Sequence, residues 1–215
     1  MAARARYQRF VMVLDDFYRD PGAVHRAAQA VKYHQPEHVT GLRSTTVYHL
    51  PRMRQRLERI LGLRIRRWDT DPAEENGVFY QGLAGGGLKE TPGVHSDFPL
   101  DDVTVVVYLT PGLPVDCGTS LWMHRVTGLC AQPTAADARR LDRSVSELRA
   151  LLARDTRRRD RWIEIDRIGY RLNRMVAYPS GVLHSATRHY GASLYDGRLY
   201  QTFRVGVDWG SFRAG

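Results

Sequence analysis

Two histidines and an aspartate carry the chemistry that this sequence most clearly offers. His95-Ser96-Asp97 sets an imidazole and a carboxylate two positions apart, and such residues on an extended segment project to the same side, within reach of one metal ion. Alone the triplet is weak, since it arises by chance and reads equally as a turn with an exposed aspartate. Its place in a loop, after one strand and ahead of the apolar run Val103–Thr110, strengthens it. A third ligand has to come from elsewhere in the chain. His184 follows the turn Tyr178-Pro179-Ser180-Gly181, at the start of a short strand. By itself it reads as a hydrogen-bonded core histidine. With His95 and Asp97 it completes a set of two imidazoles and one carboxylate, which leaves three positions of an octahedral ion open, the arrangement that suits ferrous iron in oxygen chemistry. A hydrolytic zinc site keeps only one. His189 is the competing ligand, further from the turn and next to Arg188. Nothing beyond the metal ligands is expected to be catalytic.

Arginine is the residue best suited to clamp a carboxylate, because its planar fork makes two parallel hydrogen bonds. Arg198 opens the strand Arg198-Leu199-Tyr200-Gln201-Thr202-Phe203-Arg204 shortly after His184. By the period of two, Arg198, Tyr200, Thr202 and Arg204 share one face and Leu199, Gln201, Phe203 and Val205 the other. If Arg198 points into a barrel, so does Arg204, and a second inward cation makes sense only against an anion or a buried carboxylate. The bland alternative turns both arginines to solvent.

The elements that position these residues are mostly short strands. They are expected over Val78–Leu83, Val103–Thr110, Ser120–His124, Trp162–Asp166, Met175–Tyr178 and Leu199–Trp209, with Gly85-Gly86-Gly87, Pro92-Gly93, Pro111-Gly112 and Pro179-Ser180-Gly181 as turns. This pattern predicts a mainly β fold with supporting helices, an antiparallel barrel or jelly roll. Ahead of it, Phe10–Phe17 reads as a strand, and Asp20-Pro21 starts a helix with Val24, Ala27, Ala28 and Val31 on one face. A second helix starts at Pro51, with Met53, Leu57, Ile60 and Leu61 at helical spacing, and stops at Gly62. One long helix over about 134–156 interrupts the strands, with a capping box at Thr134 and Asp137 and a stripe of Leu141, Val145, Leu148 and Leu152.

At 215 residues the chain suits one domain, residues 1–215, with a supporting N-terminal part (1–77) and a core (78–215) that carries the helical insertion. Apolar residues at 43% and charged residues at 26% match an ordinary globular protein. No apolar run is long enough to cross a membrane, and the stretch after the basic start is too short for a signal peptide, so a cytoplasmic location is expected. Cys117 and Cys130 are expected to be free thiols. The net charge of +9 would attract anions. Lys32 and Lys89 are the only lysines, however, and so strong an arginine bias reflects coding preference as readily as a binding surface.

The order His95-x-Asp97, a long gap, His184, then Arg198 opening the next strand resembles the 2-oxoglutarate and iron(II)-dependent oxygenase superfamily, and within it the prolyl-hydroxylase-like branch. The likeness runs from about Val78 to Trp209, with a weaker match over Leu14–Val31. It implies a double-stranded β-helix, or cupin-like jelly roll, with Fe(II) held by His95, Asp97 and His184. It further implies 2-oxoglutarate as cosubstrate, its far carboxylate on Arg198, with Tyr108 assisting, and O2 as oxidant. The separation of His184 from Arg198 is longer than is usual in the branch, and the 134–156 helix is additional to it. An aspartate at position 97, rather than a small residue, argues against halide ligation and leaves hydroxylation as the default outcome.

The expected substrate is a small molecule, of acidic or amino acid-like kind if Arg43 and Arg204 meet it, with Tyr80 and Trp122 as further candidate contacts and Gln81 beside Tyr80. The rivals are a basic nucleic-acid-binding module or nucleic-acid-directed oxygenase, loosely fitted by Arg198, Tyr200 and Arg204 on one strand face, and a cupin-like barrel that is metal-free or holds zinc. No membrane partner is expected, and no motif speaks to oligomeric state.

Overall fold

A computed structural model of the chain describes residues 11–35, 41–87, 90–100 and 102–211. In chain order its strands are β1 (Met12–Leu14), β2 (Tyr33–His34), β3 (Leu42–Ser44), β4 (Arg64–Arg67), β5 (Val78–Gly82), β6 (Asp102–Tyr108), β7 (Thr119–His124), β8 (Trp162–Ile168), β9 (Met175–Pro179), β10 (His184–Ala186) and β11 (Arg198–Asp208). The strands predicted from Val78 onward recur within one or two residues of their expected ends.

Two antiparallel sheets result. The larger runs β1-β9-β6-β11-β5-β3-β2, with β4 also paired to β11, and the smaller runs β10-β7-β8. They close on each other through Val106, Tyr108, Val176 and Tyr178 from the larger sheet and Leu121 and Ile168 from the smaller. The run Val103-Thr104-Val105-Val106-Val107-Tyr108 is apolar without alternation because β6 is covered on both faces. Its Val103, Val105 and Val107 point outward, where they pack with Phe79, Leu199 and Phe203 beneath the helices.

Those helices are α1 (Pro21–Ala30), whose first turn is capped by the Asp20 carboxylate accepting from the Ala23 N–H at 2.9 Å, and α2 (Met53–Leu61). The second ends where Gly62 turns left-handed at φ 64°. Val24, Ala28, Met53, Leu57 and Leu61 are the residues they bury.

The single helix expected over 134–156 is instead two, α3 (Ala135–Leu141) and α4 (Val145–Asp155). Asp142 breaks it in a left-handed conformation at φ 50°, and a second capping box restarts it, Ser144 and Glu147 bonding reciprocally. The sequence Ser144-Val145-Ser146-Glu147 carried that signal, which the apolar stripe concealed. Leu148 and Leu152 of α4 are buried, and Leu152 packs with Trp122, Trp162 and Leu183 on the outer face of the smaller sheet.

The N-terminal part is woven into the large sheet rather than laid against it. β1 pairs with β9, β3 with β5 and β4 with β11. Of the expected strand Phe10–Phe17 only Met12–Leu14 forms, Phe10 lying outside the described residues. Phe17 and Tyr18 turn into the core instead. Cys117 and Cys130 are free thiols. No helix among the described residues is long and apolar enough to cross a membrane.

Candidate metal centre and its cavity

The backbone brings distant histidines side by side. His95 and His184 form an isolated antiparallel bridge, and β10 continues from His184 along β7, with His184 opposite Leu121. The Asp97 N–H donates to the Ser180 carbonyl at 2.7 Å, so the Pro179-Ser180-Gly181 turn fixes the aspartate as well as introducing His184.

Each imidazole is then oriented by its own chain. Nδ1 of His95 lies 2.9 Å from the Gly93 carbonyl and Nδ1 of His184 lies 2.9 Å from the Val182 carbonyl. A carbonyl only accepts, so both Nδ1 atoms carry the proton and both Nε2 atoms present a lone pair. Nε2 of His184 stands 3.5 Å, and that of His95 3.8 Å, from the Asp97 carboxylate. One donor atom from each of the three residues lies within 4.8 Å of the others, the spacing of atoms that share one ion. Histidines whose second nitrogen is tied to a carbonyl are the form in which protein imidazoles bind metals.

Asp97 is buried, and both its oxygens are engaged. Oδ2 accepts from the Thr104 hydroxyl at 2.8 Å, itself 2.8 Å from the Ser180 hydroxyl, and Oδ1 accepts from Arg204 at 2.8 Å. Burial alone would raise the Asp97 carboxyl, but Arg204, His184, His95 and Thr104 together hold it well below the usual carboxylate range. The aspartate therefore stays an anion. Burial drives the His184 ring the other way, down to about 4, which keeps it neutral and able to donate its lone pair at neutral pH. Arg204 also pairs with Glu75, which in turn pairs with Arg43, so a chain of alternating charges runs Arg43–Glu75–Arg204–Asp97 along the wall. The second inward arginine thus meets the buried carboxylates that its position required.

These groups line one cavity of about 400 Å3. Arg198, Tyr200, Thr202 and Arg204 of β11 all face it, as the period of two predicts, while Leu199, Phe203 and Val205 face the outer core. Arg198 is 2% exposed. Two of its nitrogens donate to the carbonyls of Cys117 and Gly118, and its guanidinium lies 4.5 Å over the Tyr200 ring. Among the described residues no carboxylate pairs with it. Tyr80 and Arg43 also line the cavity, Tyr80 stacked on Tyr200 at 5.2 Å.

One expected contact is corrected, by strand parity. Trp122 points to the outer face of β7, where its indole N–H donates to Ser185 and Arg159 covers its ring. Tyr108, carried over as an aid to the cosubstrate clamp, lies beside Arg198, with its ring 5.3 Å from the guanidinium and its hydroxyl 2.7 Å from that of Thr119. Gln81, beside Tyr80, turns away for its own parity reason and donates to the Leu194 carbonyl.

Residues that sequence reasoning passed over include Thr104, Glu75 and Tyr178, whose ring packs on His184 at 4.5 Å. Thr104 was legible as the one hydroxyl interrupting a valine run, on the same parity as Val106. Glu75 gave no signal, since an acidic residue after Asp71-Pro72-Ala73-Glu74 reads as an exposed loop.

A search of curated proteins finds no match. Among solved structures the chain is similar to HygX from Streptomyces hygroscopicus with nickel and 2-oxoglutarate bound, at a TM-score of 0.50 and 12% identity over 93% of this chain and 83% of that one. A second structure of HygX, with nickel, 2-oxoglutarate and hygromycin B bound, aligns at a TM-score of 0.49, also with 12% identity and the same coverage. At that identity the likeness is one of fold. The description "Family of unknown function (DUF6445)" matches residues 90–200, just over half of the chain, which contain His95, Asp97, His184 and Arg198. The chain belongs to the DUF6445 family.

Proposed function

We propose that this chain is a non-haem iron(II), 2-oxoglutarate-dependent oxygenase on a double-stranded β-helix, acting on a small molecule and by default hydroxylating it. The observation that carries this reading is the convergence of two oriented Nε2 atoms and a buried carboxylate in one cavity with an arginine that lacks a carboxylate partner. The donor set fits the ion: two imidazoles and one carboxylate suit iron(II) and leave room for a chelating keto acid and dioxygen. The fold likeness to a protein that binds nickel and 2-oxoglutarate supports the same cosubstrate here.

His95, Asp97 and His184 would hold the ion. Their carbonyl, hydroxyl and guanidinium partners hold them, so little reorganisation is needed when it arrives. Arg198 would take the far carboxylate of 2-oxoglutarate. Its burial is costly for a lone cation and is offset when a dianion docks beside it. With both bound, the centre supplies oxidising power, one oxygen atom of O2 going to succinate as carbon dioxide leaves and the other to a substrate C–H bond. The Tyr80–Tyr200 stack forms part of the apolar wall of the cavity.

Anaerobic addition of iron(II) and 2-oxoglutarate tests the reading. It predicts a weak visible metal-to-ligand charge-transfer band, absent in Asp97→Ala and His184→Ala. Absence of the band in the folded wild-type protein defeats it. The nucleic-acid reading keeps little of its motif, because Arg198, Tyr200 and Arg204 line the cavity rather than an outer surface. Binding that needs no metal and falls steeply with salt would restore it.

A further inference from the structure

His189 and Glu90 share the cavity with the metal centre but take no part in it. His189 is 8% exposed, and neither ring nitrogen has a hydrogen-bond partner. Its Nε2 stands 3.5 Å from Glu90 Oε1, within ion-pair range but without hydrogen-bond geometry. A buried imidazole left unsatisfied on both sides is costly, and native structures keep such a group where a ligand completes it. The site is also built for the ring. A Cβ on Gly82 would come within 2.1 Å of His189 Nδ1, so only glycine at the end of β5 lets the imidazole lie against the strand. Gly82 is the register partner of Arg198, which puts His189 on the wall beside the proposed cosubstrate clamp.

The charges say what this wall would recognise. Arg43 and Arg204 are neutralised by Glu75 and Asp97, so neither is free to receive an acidic substrate. Among the described residues Glu90 is paired with no lysine or arginine, and His189 is its one ionisable neighbour within ion-pair range. We infer that Glu90 and His189 form a subsite for a substrate ammonium group, the carboxylate supplying the countercharge and the imidazole a lone pair. The substrate class is therefore a small primary amine rather than an acid. The inference rests on the oxygenase reading only for what happens to the bound amine.

A matched pair, 1,5-diaminopentane and 1,5-pentanediol, tests it on the full chain, by calorimetry or ligand-observed NMR at neutral pH. The diamine is expected to bind at least about tenfold more tightly than the diol, since hydrogen bonds to charged groups exceed neutral ones by that order. Glu90→Gln should erase the preference for the diamine. Gly82→Ala, which displaces the ring and leaves Glu90, should weaken the diamine by several fold. Equal binding of diamine and diol, an unaffected Glu90→Gln or no diamine binding by the wild-type protein each overturn the subsite. Titration of the same variants with nickel(II) reads the metal centre separately. Diamine binding without metal binding would sink the oxygenase reading and leave the subsite standing, and the converse would do the opposite.

Discussion

His95 and His184, 89 positions apart, exchange both of their backbone hydrogen bonds, at 2.9 and 2.8 Å, and their rings stand 4.5 Å apart. One peptide-to-peptide bridge therefore sets the spacing of two candidate ligands, independently of their side chains. Replacing either ring should leave the bridge and the fold intact while abolishing metal binding. We expect His95→Ala and His184→Ala to weaken nickel(II) or cobalt(II) affinity by more than about 100-fold, with thermal stability of the metal-free protein little changed for the half-exposed His95. Wild-type affinity in both variants would remove them from the centre.

Thr104 and Arg204 hold opposite oxygens of Asp97. Thr104→Val keeps shape and removes the hydroxyl, and should cost about 10- to 100-fold in metal affinity without a large loss of stability. Arg204→Met is a different case, because it leaves buried Asp97 with no arginine partner and Glu75 with Arg43 alone. It should destabilise the fold by about 3 kcal/mol, reduced somewhat by the partial exposure of Arg204. The double variant with Glu75→Gln should recover part of that loss, a coupling visible in denaturant midpoints. Strict additivity would mean the two do not interact.

Arg198→Lys keeps the charge and loses the planar fork. Apparent 2-oxoglutarate affinity of the iron(II) protein should fall about tenfold or more, while iron affinity stays unchanged. A parallel fall in both would place Arg198 at the metal rather than at the cosubstrate.

Asp155, at the end of α4, is held below the usual carboxylate range chiefly by its hydrogen bonds from Arg154, against an opposing effect of burial and with help from His124. A depressed folded value contributes stability that is present above the unfolded value near 3.8 and is lost as pH falls through the folded one. Unfolding free energy should therefore drop with acid below about pH 4. In Asp155→Asn that part of the slope should be absent. An unchanged slope would show that other carboxylates carry it.

Ser144 restarts the helix after Asp142, its hydroxyl accepting from the Glu147 N–H. Ser144→Ala should cost about 1 kcal/mol in a denaturant titration. No loss would mean that tertiary packing of Leu148 and Leu152 holds α4 without its cap.

Local order was legible along the chain. Alternation placed Arg198, Tyr200, Thr202 and Arg204 on one face of β11, and the apolar run Val103–Thr110 marked β6 as a strand behind the His95-Ser96-Asp97 loop. The break between α3 and α4 was equally local, written in Ser144 and Glu147, and was overlooked because an apolar stripe persists across it.

Residue type and spacing by themselves determined which groups could be ligands, which strands carry them and which side of each strand is which, because the pleat repeats every two residues whatever the partner strand. Only the tertiary structure decided that Glu75 closes a charge chain to Asp97, that Trp122 serves the outer core and that His189 is left unsatisfied opposite Glu90. Those outcomes depend on which strands become neighbours and how deeply each side chain is buried. Such contacts join positions far apart in the chain, and no local pattern of residues encodes them.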